Sequence, residues 1–210
     1  MNDRVTILNL TAGKKIDKAF RGADYQVVQF NPGSEFLVTQ TTINNLEILA
    51  SVINTLETEP SKAIIRGSLT ADQSNPVPRN KETFTSIPRQ WCMIDIDSLV
   101  WDGDISDQKA MLSHAIQQLP AEFRSVDCWY HFSSSMGIKS EINAHLWFWL
   151  DRPCSDVEMK AWLSGCPVDM RMFNPIQIHL TANPLFIDGA VDPYPSRSGL
   201  FKAGAGVSTV

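Results

Sequence analysis

Arg89-Gln90-Trp91-Cys92-Met93-Ile94-Asp95-Ile96-Asp97 decides how the chain is read, because an apolar run there turns into an alternation of apolar and acidic residues. In a β-strand alternate side chains share a face, so Asp95 and Asp97 point one way while Cys92, Ile94 and Ile96 face a core. Two carboxylates fixed side by side repel one another in low dielectric unless they share a proton or a cation. The pair reads either as a divalent metal platform at the end of a buried strand or as a solvated strand terminus. The motif alone leaves both open.

Downstream, Asp102 and Asp104 fall in a glycine-containing turn and read as solvated. Ser106 is placed to cap a helix whose stripe is Met111, Leu112, Ala115, Ile116 and Leu119, with His114 at its border and Pro120 at its end. Val126 to Phe132 predicts a strand. The turn Ser133-Ser134-Ser135-Met136-Gly137 then offers hydroxyls, amides and a glycine, which suit a phosphate or any exposed turn. From Ala144 to Leu150 the alternation is sharp: Ala144, Leu146, Phe148 and Leu150 on one face, His145, Trp147 and Trp149 on the other. Ser155 with Glu158 makes a capping box for a helix through Leu163, stopped by Gly165 and Pro167. Arg171 to Ala182 predicts one or two strands, and Asp188 to Lys202 a polar turn entering another.

Upstream, Val5–Leu10, Tyr25–Phe30 and Phe36–Thr41 read as strands. Asn44 to Glu57 has a helical rhythm, with Leu46, Leu49, Ala50, Ile53 and Leu56 on one stripe and Thr42 or Asn44 as the cap. Ala63 to Leu69 is a strand interrupted by Arg66. Thr70 to Pro88, rich in polar residues and proline and carrying Arg79 and Lys81, is either a solvated connector or a mobile basic flap over a nucleotide or nucleic acid. The order predicts an α+β fold: an N-terminal αβ subdomain over 1–88 with its basic loop at 70–88, and over 89–210 an antiparallel sheet with helices in the split βαβ arrangement.

The 210 residues, 43% hydrophobic and 20% charged, have a globular composition. No apolar run reaches membrane-spanning length and the N-terminus lacks a secretory pattern, so a cytoplasmic protein of a bacterial or archaeal host, without membrane contact, is expected. Cys92, Cys128, Cys154 and Cys166 show neither Cys-x-x-Cys nor zinc-finger spacing and read as reduced structural thiols. With a net charge of −5, any nucleic-acid surface must be a local patch.

Taken together these motifs resemble the archaeo-eukaryotic primase superfamily, the primase-polymerases of phages and mobile elements. Trp91 to Asp97 resembles the paired-acid first motif, Ser133 to Gly137 running on to Ala144-His145 the second, and Asp192-Pro193-Tyr194-Pro195-Ser196-Arg197 the third. Arg66-Gly67 ahead of the Arg79 loop is similar to mobile-element members, and the resemblance runs from about Ile64 to Gly204. It implies a primase-like fold, an RNA-recognition-like sheet at its centre, and template-directed nucleotidyl transfer with Mg²⁺ or Mn²⁺. Asp95, Asp97 and Asp192 would be catalytic and hold metal, with Asp188 the alternative third acid. His145, Ser133, Ser134, Ser135, Arg197, Lys202, Arg66 and Arg79 would bind nucleotide. The partners implied are a single-stranded or primed DNA template and nucleoside triphosphates, with any helicase domain or subunit lying outside this chain.

Residues 138–143 are inserted between the serine turn and His145, so which serine meets phosphate stays open. His131 and His179 are secondary candidates for the same site. Trp91, Trp129, Trp147 and Trp149 read as core or edge aromatics, with base stacking open to one of them. Two other functions fit the same motifs: a catalytically silent single-strand-binding replication module, and a metal-dependent nuclease.

Overall fold

β-branched and aromatic residues on a period of two dominate the chain, and strands dominate its computed structural model, which describes residues 2–11, 15, 18–29, 34–71, 75–204 and 209–210. The first half gives β1 (Asp3–Leu10), β2 (Lys18–Arg21), β3 (Gln26–Gln29), β4 (Glu35–Ile43), α1 (Leu46–Leu56), β5 (Lys62–Ile65), β6 (Ser68–Leu69), β7 (Val77–Pro78) and β8 (Phe84–Thr85). The second gives β9 (Arg89–Leu99), α2 (Gln108–Gln117), β10 (Cys128–Phe132), β11 (Ile142–Cys154), α3 (Asp156–Trp162), β12 (His179–Leu180), β13 (Leu185–Ile187) and β14 (Ser198–Phe201).

A four-stranded antiparallel sheet ordered β14-β10-β11-β9 is the centre of the second half. β9 and β10 both run antiparallel to β11, which lies between them, and α2 makes the connection; this is a split βαβ unit. A five-stranded sheet ordered β12-β5-β1-β4-β7, a three-stranded sheet ordered β13-β2-β3 and the pair β6-β8 complete the strands. Residues 179–187 return to the first half, where β12 pairs with β5 and β13 runs parallel to β2. The second expected subdomain thus lends two strands to the sheets of the first.

β9 is buried on both faces until it reaches its acids. Cys92, Ile94 and Ile96 pack with Leu146 and Phe148 of β11 beneath α2 and α3, through Met111, Leu112, Ile116 and Met159. On the other face Trp91 and Met93 join Trp147 and Trp149 against Val5 and Ile7 of β1 and the Leu46, Leu49, Ile53 stripe of α1. Trp91 and Trp147 stack with centroids 5.7 Å apart, and both are fully buried, which removes them as base-stacking platforms.

Local departures from the sequence reading have physical causes. Asn45, not Thr42 or Asn44, caps α1 by accepting from the Ile48 amide at 2.8 Å, and Asp107, not Ser106, caps α2. The Ser155 and Glu158 capping box of α3 is present as read. The Ala63–Leu69 run breaks at Gly67, whose amide donates to Pro175 O at 2.9 Å; a Cβ there would sit 2.5 Å from that same oxygen, so only glycine allows the approach. The stretch read as either a solvated connector or a mobile basic flap is tied down over residues 75–88: β7 pairs with β4, β8 with β6, and Asn75 Oδ1 accepts from Val38 N. Arg171–Ala182 holds one two-residue strand, because Met170–Phe173 forms a 3-10 turn. The Phe30 end of one predicted strand, residues 72–74 of the loop and 205–208 of the tail lie outside the described residues.

Candidate functional site

The register of the central sheet lines up a polar row across neighbouring strands. Ser198 of β14 opposes His131 of β10, His131 opposes His145 of β11, and His145 opposes Asp95 of β9. In each strand the residue two positions earlier or later on that face is apolar, Trp129, Trp147 and Met93, so the row marks where the buried face gives way to a cleft. Asp97, two residues beyond Asp95, is exposed at its mouth.

The cleft, about 230 Å³, gathers Asp95 and Asp97, His131 and His145, and all three serines of the turn. The first two sequence motifs therefore converge. Asn143, 1% exposed, holds them in place from a bulge in β11: its side-chain oxygen accepts from Ser98 N at 2.9 Å just past the acids, and its carbonyl accepts from Ser133 N at 2.9 Å. The amides of Ser134 and Ser135 have no acceptor among the described residues.

Three further groups enter the cleft that sequence reasoning did not single out: Lys18, Asp169 and Arg171. Val168 bridges Ile96, and the Asp169 amide donates to Asp95 O at 3.0 Å, which sets Asp169 beside the paired acids. Its carboxylate is turned to Arg171, which donates from Nη2 at 2.7 Å and from Nε at 2.9 Å. The apolar part of the lining comes from Met172, Ile178, Leu180 and Ala182, with Gln177 among them.

Burial, then the neighbouring Asp97 and Asp169 charges, push the Asp95 carboxyl up to about 7. A carboxylate crowd of this kind fits a bound cation, since a cation relieves both the repulsion and the desolvation. Among the described residues no three His, Cys, Asp or Glu side chains stand ready-gathered around one ion position.

His131, His145 and His179 are neutral. Burial pushes His131 down to about 3, His145 to about 4 and His179 to about 3. Neutral His145 keeps its Nε2 3.6 Å from Asp95 Oδ1. His179 belongs to the core rather than the cleft: it is fully buried, edge-on to Trp91, with Nε2 3.1 Å from Met172 O.

An acid-labile fold follows. Each of these folded-state pKa values lies below the unfolded value, so the stabilising neutral state is complete above about pH 6.5 and is lost as pH falls, because the unfolded chain takes up protons that the folded chain refuses. At pH 5.5 this amounts to about 1 kcal/mol per histidine, about 4 kcal/mol for the three. Asp95, with its pKa raised, acts the other way and regains about 2 kcal/mol between pH 7.5 and 5.5. Urea melts at pH 7.5 and 5.5 are expected to differ by about 2 kcal/mol in favour of pH 7.5; equal stability would remove the neutral-histidine assignment.

Other residues read from the sequence lie away from the cleft. Arg197, 2% exposed, grips Asp192 with Nη2 at 2.5 Å and Nε at 3.0 Å and donates to Ser133 O at 2.8 Å. Asp192 is held by Arg197 and by the Tyr194 amide, so this pair buttresses the serine turn and supplies neither a cleft carboxylate nor a phosphate clamp. Asp188, the alternative acid, sits at positive φ on the surface and pairs with Arg21 at 2.8 Å. Arg66 is 1% exposed with its guanidinium bound to Asp156, Trp91 O and Cys154 O, which leaves it no access to a ligand. Arg79 donates to Ile176 O at 2.6 Å, and Lys202 lies 3.5 Å from Asp127. Cys92, Cys128, Cys154 and Cys166 are all free thiols.

Over 173 residues the chain is 26% identical to a protein of Escherichia phage T5 provisionally named a replication origin binding protein. The match takes in 73% of this chain and 18% of that protein, so the chain spans less than a fifth of that relative's length. What the chain is similar to is thus a phage DNA-replication protein. No family model matches the chain, and no solved structure matches it. Among the described residues no helix is long and apolar enough to cross a membrane.

Proposed function

We propose that the chain is a nucleotidyl-transfer domain of a phage-type DNA-replication protein, with a primase-like fold and a single-stranded or primed DNA template as its partner. The observation that carries this reading is the convergence in one cleft of Asp95 and Asp97 from β9, the Ser133–Ser135 turn, and neutral His145 between them. Asp169 replaces Asp192 as the third carboxylate, because it is the acid placed beside Asp95. Bound Mg²⁺ or Mn²⁺ would neutralise developing charge on the transferred phosphoryl group and lower the barrier to attack by a primer hydroxyl.

The chain's own groups do the positioning. Asp95, Asp97 and Asp169 would hold the cations, while the Ser134 and Ser135 amides with the serine hydroxyls would receive the triphosphate. His145, neutral at physiological pH, donates a hydrogen bond to a phosphate oxygen. The apolar wall of Met172, Ile178 and Leu180 takes the nucleoside.

A second reading, DNA binding without catalysis, is favoured by one observation: the phage T5 relative is named for origin binding. A single gel experiment separates the readings. The chain is incubated with a labelled primed template and Mn²⁺, with and without nucleoside triphosphates. Extension that needs nucleotides supports nucleotidyl transfer, degradation that needs none indicates a nuclease, and a salt-dependent mobility shift without either indicates a binding module.

A further inference from the structure

Asp169 and Arg171 sit at the two ends of one hook on the cleft rim. Asp169 caps the 3-10 turn Met170–Phe173, and its Oδ1 accepts from the Arg171 amide at 2.9 Å and from Arg171 Nε at 3.0 Å. Its Oδ2 accepts from Nε at 2.9 Å and from Nη2 at 2.7 Å, so the guanidinium occupies both carboxylate oxygens. Yet the Arg171 side chain is 82% exposed. The Asp169 side chain is only 19% exposed, but an ion pair whose guanidinium stands in solvent is exchangeable, because water and salt compete for that partner.

The main chain fixes Asp169 next to Asp95, through the Asp169 amide on Asp95 O, while the side chain is directed at Arg171. That division explains why, among the described residues, the cleft's carboxylates are neighbours without forming a ready-gathered ion site. His145 lines the same cavity, is 7% exposed and keeps Nε2 3.6 Å from Asp95 Oδ1, so a largely buried polar ring stands in the cavity beside the acids.

We propose that Arg171 is a displaceable latch on the site. Asp169 exchanges the guanidinium for a divalent cation shared with Asp95 and Asp97, and the freed guanidinium turns to the phosphates of the incoming nucleotide. This rests on the nucleotidyl-transfer reading and adds an order of events to it. Before cation uptake Arg171 neutralises Asp169 and keeps the rim closed to phosphate. After it, a planar fork that suits a phosphate's two oxygens becomes available at the mouth.

The latch gives opposite shifts for two ligands in one variant. Mn²⁺ binding to the 210-residue chain, followed by the EPR signal of free Mn²⁺, is expected to tighten about threefold in Arg171→Ala, because a competing exposed ion pair is gone. Calorimetric binding of non-hydrolysable ATP and dATP analogues at saturating Mn²⁺ is expected to weaken about tenfold in the same variant. Arg171→Lys keeps the charge without the fork and should fall between wild type and alanine on both measures. Mn²⁺ affinity unchanged or weakened in Arg171→Ala, with wild-type binding intact, overturns the latch and leaves the nucleotidyl-transfer reading standing. Unchanged analogue binding overturns the phosphate step. A wild-type chain that takes up no Mn²⁺ overturns the parent reading along with it.

Discussion

Asp95→Asn combined with Asp97→Asn is expected to reduce nucleotide incorporation on a primed template by about 10³-fold or more, the scale on which loss of transition-state charge stabilisation acts. The same protein should be more stable than wild type at pH 8. Asp95 is held in a buried position beside two other carboxylates, and its folded pKa of about 7 stands well above the ordinary carboxylate value. For an acid shifted upward the sign is the reverse of a salt-bridged one: ionisation in the folded state costs nothing below about pH 4, the cost grows through the window up to about 7, and it is complete above that. Removing the charge should therefore add on the order of 4 kcal/mol at pH 8 and little at pH 4. Thermal melts at both pH values, paired with the primer-extension gel, check this. An active double variant would remove these acids from the chemistry, and a less stable one would show that the pair is not strained. Gain of stability with loss of activity is the signature of a functional site whose charges the fold tolerates only for their use.

How far this was legible from the sequence depends on whether a residue's environment is local. Asp95 and Asp97 were readable because a strand's period of two puts them on one face, and the sharp alternation of Ala144–Leu150 placed His145 on the same side of the neighbouring strand. The capping residues of α1 and α2 were each missed by one position, where two polar residues adjoin and either can accept the helix amide. Asp169 was hidden because it falls between the helix stop at Gly165 and Pro167 and the strand read from Arg171; a backbone bridge from Val168 to Ile96, not a pattern, brings it to the cleft. The spacing of Asp192 and Arg197 did signal a pair, but an acid and a base five residues apart satisfy one another as readily as they bind a ligand. Arg66 was assigned to nucleotide through the resemblance of Arg66-Gly67 to mobile-element primases, whereas its partners come from residues 25 to 90 positions away and hold it in the core.

That arginine carries the largest expected loss of stability. Arg66 donates to Asp156 Oδ1 at 2.8 Å, to Trp91 O at 2.5 Å and to Cys154 O at 3.1 Å, and its guanidinium lies 5.4 Å from the Trp91 ring and 5.6 Å from that of Phe173. Arg89, also 1% exposed, continues the network from Arg66 O to Asp3 Oδ1, Thr6 Oγ1 and Gly67 O. The first half of the chain, the central sheet and the start of α3 are thus joined through two buried cations. Arg66→Met removes the charge but keeps apolar bulk, and it leaves Asp156, 7% exposed, with only the Ser86 hydroxyl at 2.6 Å and two strand carbonyls without this donor. Breaking a buried pair on one side costs about 3 to 5 kcal/mol, a large share of a typical domain's 5 to 15. Arg66→Met combined with Asp156→Asn should recover about 1 to 3 kcal/mol of that loss, because the stranded carboxylate is gone. Urea melts of the two single variants and the double variant measure both quantities. A single variant within about 1 kcal/mol of wild type would mean that water reaches these groups and the network is not dry. Because Arg66 also fixes Trp91 O, four residues before Asp95 on the same strand, Arg66→Met should weaken Mn²⁺ binding in the fraction that remains folded, whereas a change at the exposed Lys202 should not.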